Sequence, residues 1–153
     1  MRRVRDGMFV CCRAGGMLIG IDLDRVQEIN RLVEPTAVPL LPDHVRGLVN
    51  LRGNLVTVLD LDGIVRGNRT VVGKGSRTVV LEAAGETCGL LVDEVGDVVD
   101  IANLAREPLS GLLAAEQRQW FSGFVQLPEG LLLLLDVDAV VGCGTGSAEA
   151  RGA

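Results

Sequence analysis

The sequence predicts an all-β fold with short helices, arranged as two small barrels of similar structure. Three observations support this prediction: the chain carries an internal duplication, its apolar segments are short and separated by glycine-rich turns, and its apolar content is almost entirely aliphatic. Of the 153 residues, 48% are hydrophobic but only 3% are aromatic, and 20 are glycine. Such a composition favours strands and turns over a cofactor pocket lined with rings.

The duplication becomes visible when the chain is aligned with itself. One block, Gly16 to Ile29, falls on Gly85 to Val98 at an offset of 69 residues, and its matched positions are identical or conservative. A second block, Gly47 to Asp62, falls on Gly123 to Asp138 at an offset of 76 residues. Because two ungapped blocks recur in the same order, we interpret the chain as two copies of one set of strands.

Each copy is predicted to begin with two strands around a glycine turn and to end with a hairpin. In the first copy the opening strands are Met8 to Arg13 and Met17 to Leu23. The hairpins have turns at Arg52-Gly53-Asn54 and Pro128-Glu129-Gly130, whose residues favour tight turns. The unbroken apolar run from Leu131 to Leu135 predicts a strand buried on both faces.

The connectors set the expected domain boundaries. We expect an N-terminal extension over residues 1–7, one domain over residues 8–141 and a disordered, small and polar tail over residues 142–153. Within the domain, a first barrel is expected over about residues 8–65, a polar, glycine-rich linker over 66–77 and a second barrel over 78–141. The sequence leaves open whether strands are exchanged between the halves. A short helix is expected after Pro42 and a helical segment around residues 112–120.

Charge and hydropathy exclude several classes of partner. The formal net charge is -5 with a pI near 4.9, and the arginines form no stripe, so nucleic acid is not an expected partner. The basic start at Arg2-Arg3-Val4-Arg5 imitates a signal peptide, but the apolar stretch behind it is short and is interrupted by Arg13. No apolar run approaches the roughly 20 residues needed to span a bilayer. We therefore expect a cytoplasmic protein without direct membrane insertion.

No constellation of catalytic residues stands out. The four cysteines, Cys11, Cys12, Cys88 and Cys143, lack the paired spacings of a zinc site and are interpreted as reduced structural residues. The only histidine, His44, has no nucleophile motif beside it. The aspartates after the hairpins recur in both copies, which favours a structural role in accepting backbone N–H bonds at strand ends. The sequence therefore predicts no enzyme, no cofactor and no metal site, and a function in protein recognition.

Five stretches of the chain form a recognisable set: Val26-Gln27-Glu28-Ile29, the string from Val45 to Val56 with Asn50-Leu51-Arg52-Gly53 at its centre, Asp60-Leu61, the segment from Gly89 to Val98, and the closing strands from Gly123 to Val141. Together they resemble the CheW family of chemotaxis coupling proteins. The resemblance implies a pair of five-stranded SH3-like barrels without enzymatic activity. It also implies an adaptor or scaffold that couples chemoreceptors to a CheA-type histidine kinase in chemotaxis signal transduction, recruited to membrane-associated receptor arrays.

The same resemblance implies two binding surfaces. The implied contacts for the cytoplasmic tip of a methyl-accepting chemoreceptor are Val26, Glu28, Arg52, Cys88, Val95 and Val98, with Glu28 and Arg52 as a polar pair beside an apolar groove. The implied contacts for the regulatory domain of the kinase are Arg46, Gly47, Asn50 and Gly53. For the same residues, the structural alternatives are an exposed ion pair and ordinary barrel core.

Two departures and two rival functions accompany the resemblance. Thr57 stands where the family commonly has proline, and Asp62 stands where it has arginine, so a partner contacting position 62 would meet a reversed charge. One rival is a CheW-like adaptor of a non-chemotaxis pathway, such as surface motility or second-messenger control. The remote rival is a small enzyme that uses the clustered acids.

Overall fold

The computed structural model describes residues 7–31, 35–36 and 39–143. Two five-stranded sheets dominate it, which confirms the predicted all-β fold of two SH3-like halves. The strands are β1 Met8–Ala14, β2 Met17–Asp22, β3 Val26–Arg31, β4 Val45–Leu51, β5 Asn54–Asp60, β6 Arg77–Ala83, β7 Glu86–Val92, β8 Glu94–Asp100, β9 Phe121–Leu127 and β10 Gly130–Leu135. The helices are a 3₁₀ turn at Leu23–Arg25, α1 at Leu61–Arg66, α2 at Ala115–Arg118 and α3 from residue 137, described as far as residue 143.

Each sheet takes strands from both copies of the repeat. Sheet 1 has the order β8-β1-β2-β10-β9, and sheet 2 has the order β3-β6-β7-β5-β4. The first copy therefore supplies β1 and β2 to sheet 1 but β3, β4 and β5 to sheet 2, and the second copy does the reverse. Shifting every element by the repeat offset converts one sheet order into the other, so the two sheets are related by the duplication.

Parallel pairing joins the two copies inside each sheet. Strand β10 pairs in parallel with β2, and β5 pairs in parallel with β7, while all other neighbours are antiparallel. In each parallel pair one strand belongs to the first copy and the other to the second. Neither copy alone contains a complete sheet.

The core lies partly between the sheets and partly inside each one. The largest cluster combines side chains of both sheets, such as Ile19 and Ile21 with Leu59 and Leu90. Strand β10 contributes to two clusters, as its buried run predicts: Leu133 and Leu135 belong to the shared core. Leu132 and Leu134 face a smaller cluster within sheet 1. Their alternation follows the two-residue period of a strand.

Two local expectations require correction, and others fall outside the described residues. Turns, not a helix, precede β4, and the predicted helical segment at 112–120 shrinks to the four residues of α2. The N-terminal extension, except residue 7, and the tail from residue 144 lie outside the described residues, whereas residues 142–143 belong to α3. No helix within the described ranges is long and apolar enough to cross a membrane.

Candidate partner-binding surface

An exposed ion pair joins opposite edges of sheet 2. Glu28 lies on the edge strand β3, and Arg52 lies in the β4–β5 turn, where its backbone adopts a φ of +54°. The Arg52 Nη2 to Glu28 Oε2 distance is 3.1 Å, with the arginine side chain 83% exposed. Because β3 and β4 are at opposite ends of the strand order, the pair shows that the sheet curls until its edges meet. The sequence prediction placed these two residues together, and they are in contact.

This pair contributes little to stability. An ion pair so exposed is worth about 0 to 1 kcal/mol, because solvent screens the charges and two long side chains lose freedom. Two apolar side chains close to the pair in sequence are also exposed: Ile29, which follows Glu28 but points to the opposite face of β3, at 40%, and Leu55, just after the turn, at 71%. These exposed side chains contribute little to the stability of the fold, so they are available for contact with a partner.

The apolar residues predicted to contact a receptor differ in accessibility. Val26 and Val95 are half-buried against the shared core, at equivalent positions of the two copies. Cys88 is 1% exposed and belongs to that core, so its thiol offers no surface to a partner. Val98, on β8 like Val95, is 45% exposed and is not among the side chains of that core. The structure therefore brings Val26, Cys88 and Val95 together at one core but leaves Val98 apart from them.

The residues predicted to contact a kinase divide between the core and the turn of the β4–β5 hairpin. Gly47 is buried in a β-bulge opposite β5. Arg46 is also inaccessible, since its side chain is 9% exposed and its Nη1 donates to Asp60 Oδ2 at 2.9 Å and to the Thr70 carbonyl at 2.8 Å. Asn50 and Gly53 are exposed, and the Asn50 Oδ1 accepts the Gly53 N–H at 2.9 Å, which fixes the turn that presents Arg52.

The recurring aspartates accept backbone N–H bonds at strand ends, as the sequence predicts, and the segments that they cap are helices. Asp60 Oδ1 accepts the Gly63 N–H at the start of α1, and Asp136 Oδ1 accepts the Ala139 N–H at the start of α3. Asp60 is fully buried and also accepts bonds from Arg46 and from the backbone and hydroxyl of Thr70. These bonds use both oxygens of the Asp60 carboxylate, so it has no acceptor left for chemistry.

Asp62 is paired within the chain. Its carboxylate is 8% exposed and lies 2.7 Å from the Nε of Arg66, one turn along α1. Both side chains lie over Gly15, in the β1–β2 turn of the other sheet. Asp62 carries a negative charge where the CheW family commonly has arginine, and that charge is paired with Arg66 of the same chain.

The remaining titratable clusters do not assemble a metal or catalytic site. No group of three or more His, Cys, Asp and Glu residues within the described ranges is arranged to hold a metal ion. The Cys143 Sγ lies 3.4 Å from the His44 Nε2. Burial raises the pKa of Cys12 and of Cys88 to about 12, so both are thiols at neutral pH. A thiol in that state is a poor nucleophile and a poor metal ligand.

Two SH3-like subdomains around a shared core, with charged and apolar side chains exposed along their edges, define a β-sheet binding module. The chain belongs to the CheW-like domain family, whose model matches residues 8–142. Members of this family are non-catalytic scaffold proteins of chemosensory signalling, which confirms the resemblance that the sequence motifs predicted.

Individual relatives support the assignment. The chain is 28% identical over 139 residues to the chemotaxis protein CheW of Klebsiella aerogenes, covering 87% of this chain and 80% of the relative. It is also 28% identical over 110 residues to protein FrzA of Myxococcus xanthus, covering 71% and 69%. The crystal structure of the scaffolding protein TtCheW from Thermoanaerobacter tengcongensis matches with a TM-score of 0.76 at 25% identity, covering 85% of this chain and 88% of that one.

Proposed function

We propose that this chain is an adaptor that couples chemoreceptors to a CheA-type histidine kinase, acting in the cytoplasm at membrane-associated receptor arrays. The observation that carries the proposal is the Glu28–Arg52 pair, at 3.1 Å and with the arginine exposed, on a CheW-like fold. The receptor tip is assigned to this surface, with Val26, Val95 and Val98 as further contacts. Cys88 is left out because it is buried.

The kinase regulatory domain is assigned to the β4–β5 hairpin through Asn50 and Gly53. Arg46 and Gly47 act there indirectly, because both are buried at the end of the hairpin away from its turn, where Gly47 pairs with Val58 and Arg46 binds Asp60. An adaptor of this kind needs no reaction of its own. If it binds two states of the receptor or kinase with different affinity, it shifts the balance between them by that difference in free energy.

The test is a pull-down of the purified chain with a kinase regulatory domain and, separately, with a receptor tip fragment. Glu28→Arg and Arg52→Glu are each expected to reduce receptor capture. The double variant carries both changes, so it keeps an ion pair at this place with the two charges exchanged. Asp138→Arg is the matched control, because Arg25 and Asp138 form a second exposed ion pair at 2.9 Å elsewhere on the chain.

Capture of both proteins by the wild type, with receptor capture lost in the Glu28 and Arg52 variants but not in the control, supports coupling through this surface. Failure of the wild type to bind either protein overturns the proposal.

A second candidate is a CheW-like adaptor of a non-chemotaxis chemosensory pathway. Its support is that relatives include protein FrzA and, at 31% identity over 83 residues, protein PilI of Pseudomonas aeruginosa, neither named as a chemotaxis protein. Repeating the pull-down with receptor and kinase fragments from such a pathway separates the two candidates by which set the chain prefers.

A further inference from the structure

The duplication places a second version of the candidate surface on sheet 1. Strand β8 is the equivalent of β3, and the β9–β10 turn is the equivalent of the β4–β5 turn. Exposed apolar side chains recur in this second version. Val98, the repeat equivalent of Ile29, is 45% exposed against 40%, and Leu131, the equivalent of Leu55, is 37% exposed against 71%. Edge positions of both sheets thus carry exposed aliphatic side chains.

The charges of the two versions differ. Asp97 occupies the position of Glu28, but Pro128 occupies the position of Arg52. The second copy therefore has a carboxylate at the first position and no arginine at the second. Glu129 follows in the same turn and adds a second carboxylate. Within the part of the chain that the structure describes, Asp97 and Glu129 have no ion-pair partner, whereas Glu28 has Arg52 at 3.1 Å.

A cavity opens beside these acids on sheet 1. Its volume is about 300 Å³, and its lining includes Leu18, Val99 and Cys11 together with Asp97 and Glu129. Gly96 also lines it, at the position that Gln27 occupies in the other copy. There the Gln27 Nε2 donates to Glu82 Oε2 and covers the strand pair. Gly96 has no side chain to do so, and the surface stays open.

The electrostatics of the cavity are negative. Arg13 and Glu94 also line the cavity and pair with each other at 3.5 Å, so among the described residues that line it Asp97 and Glu129 carry the uncompensated charge. The pKa of the Cys11 thiol on the cavity wall is raised, first by burial and then by the charges of Glu129 and Asp97, while Arg13 opposes them weakly. Two carboxylates on one side of a partly apolar cavity complement a side chain with an apolar stem and a cationic head.

We propose that this face of sheet 1 binds a protein segment that inserts an arginine between Asp97 and Glu129, flanked by an apolar residue packed on Leu18 and Val99. The partner then supplies in trans the guanidinium that Arg52 supplies within the chain on the other face. An apolar wall beside two carboxylates favours a side chain with an apolar stem over a small inorganic cation. The inference goes beyond the proposed function, because receptor and kinase are already assigned to the Glu28–Arg52 pair and the β4–β5 hairpin of sheet 2, and it adds a separate contact face on sheet 1.

The experiment uses a defined probe, the amidated peptide Gly-Leu-Arg-Leu-Gly, titrated into the full ¹⁵N-labelled chain and followed by NMR. A peptide with citrulline in place of arginine is the matched probe, because it keeps the shape and removes the charge. The chain variants are Asp97→Asn/Glu129→Gln and Gly96→Gln, with Glu28→Gln as the control in the other copy. A side chain at position 96 meets only the Cys11 carbonyl oxygen, at 3.7 Å, so Gly96→Gln is sterically tolerated.

Shifts are expected at the amides of residues 11–13, 18, 94–99 and 129. The citrulline peptide and the Asp97→Asn/Glu129→Gln variant are each expected to bind about five- to tenfold more weakly, since two exposed ion pairs are lost. Gly96→Gln is expected to weaken binding by closing the cavity, and Glu28→Gln to leave it unchanged.

Absence of localised shifts, shifts on another face, or equal binding of the citrulline peptide overturns the inference. The two proposals fail separately. The peptide titration involves neither kinase nor receptor, and the pull-down depends on Glu28 and Arg52, not on Asp97 and Glu129. A chain that captures both proteins but ignores the arginine peptide keeps the coupling function and loses only this second site.

Discussion

Removing the carboxylate of Asp60 is expected to destabilise the protein far more than removing that of its repeat equivalent, Asp136. Both aspartates cap a helix with one backbone bond. Replacing such a cap by alanine costs about 1 kcal/mol. Asp60 differs in being fully buried and in accepting three further bonds, from Arg46 at 2.9 Å and from the backbone and hydroxyl of Thr70 at 2.8 and 2.6 Å.

The magnitude follows from what Asp60→Ala leaves behind. The Arg46 side chain is 9% exposed and would be left as a buried charge without its carboxylate. Breaking a buried pair in this way costs about 3 to 5 kcal/mol. For a chain of this size each kcal/mol lowers Tm by about 2 to 4 °C, so we expect a loss of roughly 10 °C or more for Asp60→Ala and about 2 to 4 °C for Asp136→Ala.

Urea denaturation and thermal melts of the two variants measure this difference. A third variant, Asp60→Ala/Arg46→Met, removes both charges and is expected to recover about 1 to 3 kcal/mol relative to Asp60→Ala. Equal losses for Asp60→Ala and Asp136→Ala would refute the reasoning, because the bonds from Arg46 and Thr70 would then contribute nothing beyond the cap.

Two further predictions concern a turn and the thiols. Gly15→Ala is expected to lower the free energy of unfolding by about 1 kcal/mol more than Gly16→Ala, as measured by urea denaturation. Both residues have a positive φ, but only at Gly15 would an added Cβ overlap Asp62. Equal losses for the two variants would contradict a close contact at Gly15. The free energy of unfolding is expected to fall as pH rises from about 9 towards 12, since burial raises the pKa of Cys12 and Cys88 to about 12 and the unfolded chain ionises its thiols first. Urea titrations at pH 8 and 10.5 measure this fall, and a Cys12→Ala/Cys88→Ala variant should lose most of it.

The duplication made much of the fold predictable. Offsets of 69 and 76 residues relate strands that the structure also relates, and the glycine and proline turns fall where the hairpins reverse. The strand exchange was not predictable in the same way. An apolar strand pattern records which faces are buried but not which of two equivalent partners a strand pairs with.

The candidate surface was predictable only in part. The Glu28–Arg52 contact follows from the family motifs, whereas the burial of Arg46 and Cys88 depends on neighbours distant in sequence. The cavity in sheet 1 is lined in part by Gly96, and no sequence motif marks a position by the side chain that it lacks. In the sequence, the cavity is indicated only by comparing the two copies position by position at the known offset.

The exchange of strands also bears on how such a chain can originate. A half-length chain with one repeat completes neither sheet, but two identical copies of it complete both by symmetry, and the resulting homodimer presents the same surface twice. Joining the copies in one polypeptide removes that identity constraint, because a substitution then changes one face and not the other. The unlike residues at equivalent positions, Arg52 against Pro128 and Gln27 against Gly96, are differences that a single polypeptide can carry and a homodimer cannot, and they give one molecule two unlike ends.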